Sequence, residues 1–396
     1  MKGDAKRMYI DVIMEIIKGI GRFFLNPLLY IGILFAILIG YQRVKSERKS
    51  FKTRIFWGWS ETILMVKEGW LPGVIISAIS LIVGLTVPIQ FIVISAVVGV
   101  ILIAVFYYHA ASAVYPLGIA FVILWYTYIA DGSWHFLKWD VTSHSMHVGM
   151  LSTIPILIGL VLVAEGALVV KNAAKLASPK ILKSERGLPS AIYLAKRLWM
   201  LPIFFVIPSG AIHEYVPYWP QFTLGSNTFS LILVPFVIGF QQRSRKLLPV
   251  HFYPQVGKTI EILGLLVLIE GIIAYFFPIM GVAAVFVGII GRIFISILYS
   301  LSERHGTYAV TPKDNGVMVA GVLPDSPAAA MGIQVGECIR KVNGIPVSNE
   351  EELYEALQIN AAHCRLEVVD QDGEVRLRQH VIYRHDHYRI GLLVVR

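Results

Sequence analysis

Two glutamates interrupt runs that are otherwise apolar: Ala164-Glu165-Gly166-Ala167 and Ile269-Glu270-Gly271-Ile272. A carboxylate at such a place is costly unless something pairs with it, and an acid at membrane depth is a functional hypothesis by default. The residues allow two readings. Glu165 and Glu270 hydrogen-bond between helices or pair with an arginine such as Arg197 or Arg292, or they form an ion or proton path. The structural role is the expected one. Other chemistry-bearing residues stop short of a site. His213-Glu214 begins the pattern that sets two imidazoles on one zinc, but Pro217 holds the second histidine position. Gly257-Lys258-Thr259 matches the end of a phosphate-binding loop, but Phe252 stands where its first glycine belongs. His135, His144 and His147 share one loop at irregular spacing without nearby thiols or paired carboxylates, the mark of loop histidines rather than metal ligands. No Gly-x-Ser-Gly nucleophile turn is present. The two cysteines, Cys338 and Cys364, are expected to be buried free thiols. These residues argue against an enzyme, and neither cofactor nor metal is expected.

The elements that carry these residues are set by composition. Of 396 residues, 56% are hydrophobic and only 15% charged, and the mean hydropathy is +0.66. Apolar runs of about twenty residues suffice to cross a bilayer core. They are expected at 23–41, 70–87, 89–108, 110–130, 148–170, 259–277 and 279–298. Shorter runs at 198–212 and 223–240 contain Pro202, Pro208 and Pro235 and read as kinked or short spans. The expected fold class is therefore an α-helical polytopic membrane domain, residues 23–299 with about eight to nine spans, followed by a small mixed α/β domain. Residues 1–22 read as an interfacial helix. No small-residue cleavage site follows the first apolar run, so no cleavable signal is expected.

The +9 formal charge points to membrane orientation rather than to nucleic acid, because Lys and Arg collect in cytoplasmic loops. Among the loops between apolar runs, those beginning at Arg43, Lys171 and Arg243 hold nearly all of the cations, whereas 131–147 and 213–227 hold only Lys138. That alternation makes the C-terminal tail cytoplasmic and leaves the N-terminus outside. A short polar linker, 300–307, would keep the tail, 308–396, close to the membrane surface.

The tail opens with the apolar run Gly316-Val317-Met318-Val319-Ala320-Gly321-Val322 and the turn Pro324-Asp325-Ser326-Pro327-Ala328. It continues through Gly332-Ile333, Gly336-Glu337-Cys338-Ile339 and Val342-Asn343-Gly344-Ile345. The order and spacing of these residues resemble a bacterial-type PDZ domain. Such domains take up peptides by adding a strand to a sheet edge. Two stretches are candidates for the loop that receives a terminal carboxylate: Tyr308-Ala309-Val310, or Tyr388 to Leu393. The second is nearer the family's loop, so Ile390, Gly391, Leu392 and Leu393 are the candidate peptide-binding residues. Earlier in the tail, Ser348-Asn349-Glu350-Glu351 has the capping-box form Ser-x-x-Glu and opens a helix whose Leu353 and Leu357 either face the groove or fill the core.

The likeness extends over essentially the whole chain. Gly40-Tyr41-Gln42-Arg43-Val44-Lys45, Leu182-Lys183-Ser184-Glu185-Arg186-Gly187, Arg197-Leu198-Trp199-Met200 and Phe236-Val237-Ile238-Gly239-Phe240-Gln241 carry it, with the PDZ residues above. In that order they resemble the membrane-bound, PDZ-bearing cell-division topology factors of Bacillus-type bacteria. The resemblance implies a non-enzymatic scaffold at septa and poles that links a DivIVA-like polar and septal protein to a MinD-like ATPase, to MinC, and so to the FtsZ division ring. Membrane lipids are the further expected partner, and nucleic acid is not. A transporter or channel using Glu165 and Glu270, with the PDZ domain as a regulatory arm, is the competing reading.

Overall fold

The computed structural model describes the chain except residues 1–16, 18–19, 22, 25, 106–111, 137–138, 143–147, 185–186, 209–220, 225–226, 305, 360–362, 382–389 and 396. The helix expected over 1–22 lies largely outside the described residues, as do His144, His147 and the His213-Glu214 pair.

Helix α1, Pro27–Phe51, starts where local chemistry favours it: Asn26 Oδ1 accepts from Leu28 N at 3.0 Å and proline occupies the first turn. Its last turn carries Arg48 and Lys49, which complement the carbonyl end of the helix. Then follow α2 (Ser60–Val83), α3 (Ile89–Ala104), α4 (Val114–Ile129), the small hairpin β1 (Ser133–Phe136) and β2 (Trp139–Thr142), and α5 (Met150–Asn172). After a four-stranded sheet come α6 (Pro249–Ile273) and α7 (Ile279–Ser302). Among the described residues, α1, α2, α5 and α7 are long and apolar enough to cross a membrane. At about 1.5 Å per residue each exceeds the ~30 Å hydrocarbon core.

The two proline-bearing runs at 198–212 and 223–240 are not helical spans. They belong to β4 (Pro189–Pro208) and β6 (Asn227–Ser244), the long strands of an antiparallel sheet ordered β3-β4-β6-β5, with β3 at Ser178–Lys183 and β5 at Gln221–Leu224. The physical reason is legible in hindsight. Ile203-Phe204-Phe205-Val206-Ile207 is rich in β-branched and aromatic residues. A proline inside a helix costs about 3 kcal/mol, whereas Pro202 and Pro235 sit directly opposite each other in the ladder. As a hairpin, the two strands return the chain to the end it left, just as two spans would.

Past β3, the free edge of β4 finds other partners. Ala195 N donates to Tyr253 Oη at 3.1 Å, Phe204 N to Ser77 Oγ at 2.9 Å, and Val206 O accepts from Val87 N at 3.0 Å. Helix α2 can lie this close because Gly69 and Gly73 face the β4 backbone: a Cβ on Gly69 would come within 2.2 Å of Met200 O. Small residues also seat α5 on α6. Gly159 and Gly166 of α5, and Gly257, Gly264 and Gly271 of α6, recur every seven residues and meet backbone across the seam.

The tail forms β7 (Val317–Val322), the single-turn α8 (Pro327–Ala330), β8 (Cys338–Val342), β9 (Ile345–Pro346), α9 (Glu350–Ile359), β10 (His363–Val369), β11 (Val375–Val381) and β12 (Leu392–Val394). The sheet order is β11-β10-β8-β7-β12, with β9 on β8. Helix α9 is capped one residue later than the Ser-x-x-Glu pattern suggests. Asn349 Oδ1 accepts from Glu352 N at 2.9 Å, and Glu352 Oε2 from Ser348 N at 2.7 Å.

The tail does more than sit near the membrane part on a linker. One face of its sheet packs against the body: Met318, Ala320, Leu393 and Val395 share an apolar cluster with Phe51, Ile55, Tyr193 and Leu248. Tyr193 Oη donates to Ala320 O at 2.9 Å.

Candidate peptide-binding site

The turn entering β12 has unusual backbone geometry. Ile390 and Gly391 are both left-handed, at φ 49° and 84°. Its carbonyls are tied to the Ser326-Pro327-Ala328 turn: Ala328 N donates to Ile390 O at 2.9 Å and Leu323 N to Gly391 O at 2.8 Å. A Cβ on Gly391 would stand 2.3 Å from Ser326 Oγ, so glycine is required by space as well as by φ. Ser326 is itself committed, donating to Leu323 O at 2.6 Å and capping α8 through Ala329 N at 3.3 Å. Among the described residues, no backbone hydrogen bond takes the N–H of Ile390 or Gly391. A left-handed turn whose N–H groups have no backbone acceptor among the described residues is a concavity suited to an anion such as a carboxylate.

β12 is an edge of its sheet. It pairs with β7 through Leu392↔Val322 and Leu393↔Gly321, and among the described residues nothing pairs with its other side. Ile390, Leu392, Leu353 and Leu357 are buried together in the core of this domain. Leu393 points the opposite way, into the cluster shared with the membrane body, as alternation along a strand requires. The rival loop is occupied: Val310 O accepts from Ala191 N at 3.0 Å and Ala309 N donates to Arg245 O at 2.8 Å. Arg245 also stacks over the Tyr308 ring, 4.9 Å from its centroid. Tyr308-Ala309-Val310 is thus a seam between tail and body. Tyr388 and Arg389 lie outside the described residues.

The two glutamates of the apolar runs have different surroundings. Glu165 is fully buried and satisfied: Oε1 accepts from Arg292 Nε at 3.1 Å and Nη2 at 3.0 Å, and Oε2 from Ser112 Oγ at 2.6 Å and Ala113 N at 3.0 Å. Arg292 spends its remaining Nη1 on Ser296 Oγ at 2.6 Å. The fork ties α5, α7 and the start of α4 together. Glu270 is half-exposed, with Oε2 unpartnered among the described residues. Their shared Glu-Gly context reflects the helix seam, for Gly166 and Gly271 both lie in it.

Arg197, named with Arg292 as a partner for these acids, goes elsewhere. It meets Glu61 at 3.3 Å and Glu68 at closer range, while Trp199 Nε1 donates to Glu68 at 2.8 Å. Glu61 also faces Arg43 Nε at 3.3 Å, and Arg43 reaches Glu47 at 3.0 Å. Glu47 closes the set by accepting from Ile55 N at 2.7 Å and Ser178 Oγ at 3.0 Å. Sequence reading missed this network. Its signals are the i, i+4 spacing of Arg43 and Glu47 and the i, i+7 spacing of Glu61 and Glu68, each of which puts both residues on one helix face.

Both cysteines are free and buried. Burial raises the Cys338 thiol and pushes Cys364 up to about 12, so neither is a ready nucleophile.

Known proteins resemble both the tail and the whole chain. The PDZ domain family matches residues 318–370, from β7 into β10. The cell division topological determinant MinJ of Bacillus subtilis (strain 168) is 32% identical over 383 residues, covering 97% of this chain and 96% of that protein. The probable cell division topological determinant MinJ of Lacticaseibacillus paracasei is 26% identical over 278 residues, 66% of this chain and 73% of that protein. The magnetosome formation protease MamE of Paramagnetospirillum magneticum is 35% identical over only 80 residues, 20% of this chain and 11% of that protein. With the first of these alignments running through helices, inserted hairpin and PDZ sheet alike, the chain belongs to the MinJ family of cell division topological determinants.

Proposed function

We propose that this protein is a non-enzymatic membrane scaffold that helps choose the division site. It links a DivIVA-like protein at poles and septa to the MinC–MinD inhibitor of FtsZ ring assembly. The basic loops and the tail face the cytoplasm in this reading, and the PDZ edge takes up a partner segment. The observation that carries it is the open edge of β12 beside the left-handed turn at Ile390-Gly391. A peptide laid along that edge gains main-chain hydrogen bonds, and the turn's N–H groups receive its carboxylate. Ile390, Gly391 and Leu392 would form the strand side, Leu353 and Leu357 the helix wall, and Leu393 the support from behind. Docking on the body removes orientational freedom from the tail, which favours weak partners that are themselves held at the membrane.

The saturated hydrogen bonding of Glu165 supports a structural rather than an ion-conducting role for the membrane part. The test is localisation of a fluorescent fusion in dividing cells, intact and without 308–396. Enrichment at septa and poles, with misplaced division when the tail is removed, is the expected result. Even distribution around the envelope with normal division would overturn the proposal.

A further inference from the structure

A second concave site lies where α1 meets the basic end of the long sheet. The hollow is about 310 Å³ and is lined in part by Gln42, Ser46, Lys180, Lys196, Gln241 and Arg243. Strand register explains the convergence. Lys196 pairs with Gln241, Leu194 with Arg243, and Ile192 with Lys180, so alternation along each strand brings Lys180, Lys196, Gln241 and Arg243 to one face.

Two kinds of charge border this hollow. Arg43 and Glu61 belong to the buried network and neutralise each other at 3.3 Å. Lys180 and Arg243 are exposed and have no carboxylate within ion-pair distance among the described residues. Burial, then Arg243, then Lys180 hold the Lys196 ammonium below the ordinary lysine range, which records how closely the like charges crowd. The buried Oε1 of Gln241 also makes no hydrogen bond. A half turn of that amide would offer two N–H donors instead. Lys180 and Arg243 thus bring two cations without a described carboxylate partner to one hollow, an arrangement that favours an anion between them.

The depth of the hollow identifies the anion. On α1 it sits just past the apolar segment ending at Tyr41, and Ile39, Leu176 and Leu194 form an apolar part of the wall. Trp57, whose carbonyl accepts from Arg43 at 3.0 Å, and Trp59 are about half exposed nearby, as residues at a headgroup boundary are. We propose that the hollow is a phosphate site for an anionic phospholipid headgroup, with Lys180, Lys196 and Arg243 on the phosphate oxygens and the apolar wall against the glycerol and first methylenes. Basic pockets beside membrane helices are known to hold such headgroups.

The full-length chain in detergent would be titrated with short-chain phosphatidylglycerol, short-chain phosphatidylcholine and inorganic phosphate. Preferential saturable binding of phosphatidylglycerol is expected. Each of K196Q and R243Q should weaken it about fivefold and the double variant about thirtyfold, from roughly 1 kcal/mol per cation. K49Q/K52Q, which removes two exposed cations outside the hollow, should leave it unchanged. Should the double variant fail to fold, K180Q at an exposed position carries the same fivefold expectation. Inorganic phosphate competing as well as the lipid would overturn the lipid assignment. Equal binding of phosphatidylcholine, or equal losses in K49Q/K52Q, would overturn the site itself.

Discussion

The membrane body and the PDZ domain solve opposite problems with the same chain. In the body the buried charges are paired with one another: Glu165 takes four hydrogen bonds, and Arg43 and Arg197 are each divided between two carboxylates. In the PDZ domain one sheet face is spent on the body, while the edge of β12 and the turn before it are left unspent. A low-dielectric surrounding punishes any unpaired group, so the body gains uniqueness of packing. Water tolerates an open edge, and there a partner can bind. The difference assigns rigidity to one region and exchange to the other.

The sharpest break of this contrast is at the buried fork. Glu165→Ala strands Arg292 and should destabilise the body by about 3–5 kcal/mol, with the double change Glu165→Leu/Arg292→Met recovering much of the loss. Glu270→Gln, half-exposed, should stay within about 0.5 kcal/mol. Thermal unfolding in detergent reads all three, and equal losses at Glu165 and Glu270 would refute the distinction. Next comes the helix seam. A Cβ at Gly264 would stand 2.6 Å from Val163 N, so Gly264→Leu should cost about 1–3 kcal/mol or more by overpacking, whereas the same change at exposed Gly187 strains only its own left-handed turn and leaves the helices in place.

In the tail, Gly391→Val combines a left-handed φ with the clash against Ser326. It should cost about 1–2 kcal/mol locally and abolish peptide capture, measured by the binding of C-terminal peptides from an interactor screen. Tyr193→Phe removes a single hydrogen bond between the regions, worth about 1 kcal/mol. Faster amide exchange in β7 with unchanged exchange in α5 is the expected signature.

A further effect is spread over pH. The Cys364 thiol ionises near its reference of 9.0 when unfolded but only near about 12 in the fold. Between those values the unfolded state holds fewer protons, so stability falls as pH rises, by up to about 1.4 kcal/mol per pH unit. A flat stability profile from pH 9 to 11 would show that Cys364 is not sealed in the core.

Much of this was legible in order and composition. The helices longer than twenty residues, the basic loops and the glycines of the PDZ turns are local signals, because hydrophobic length and left-handed φ are properties of neighbours in sequence. The heptad of glycines at 257, 264 and 271 was equally local and was passed over. Other features were illegible for a physical reason. Whether 198–212 folds as helix or strand depends on which segment supplies the missing backbone partners, and those are Tyr253, Ser77 and Val87, far away in sequence. Which arginine neutralises Glu165 depends on how α7 is set against α5.

By itself, then, the sequence determined a chain with several apolar runs long enough to cross a membrane, cations gathered in particular connections, and a PDZ domain toward its C-terminal end. The tertiary structure alone decided that the prolines lie across a ladder, that Arg292 and not Arg197 answers Glu165, and that Leu393 faces the body. These choices are made by long-range pairing in a medium where every polar group must find a partner, and such pairing has no local trace.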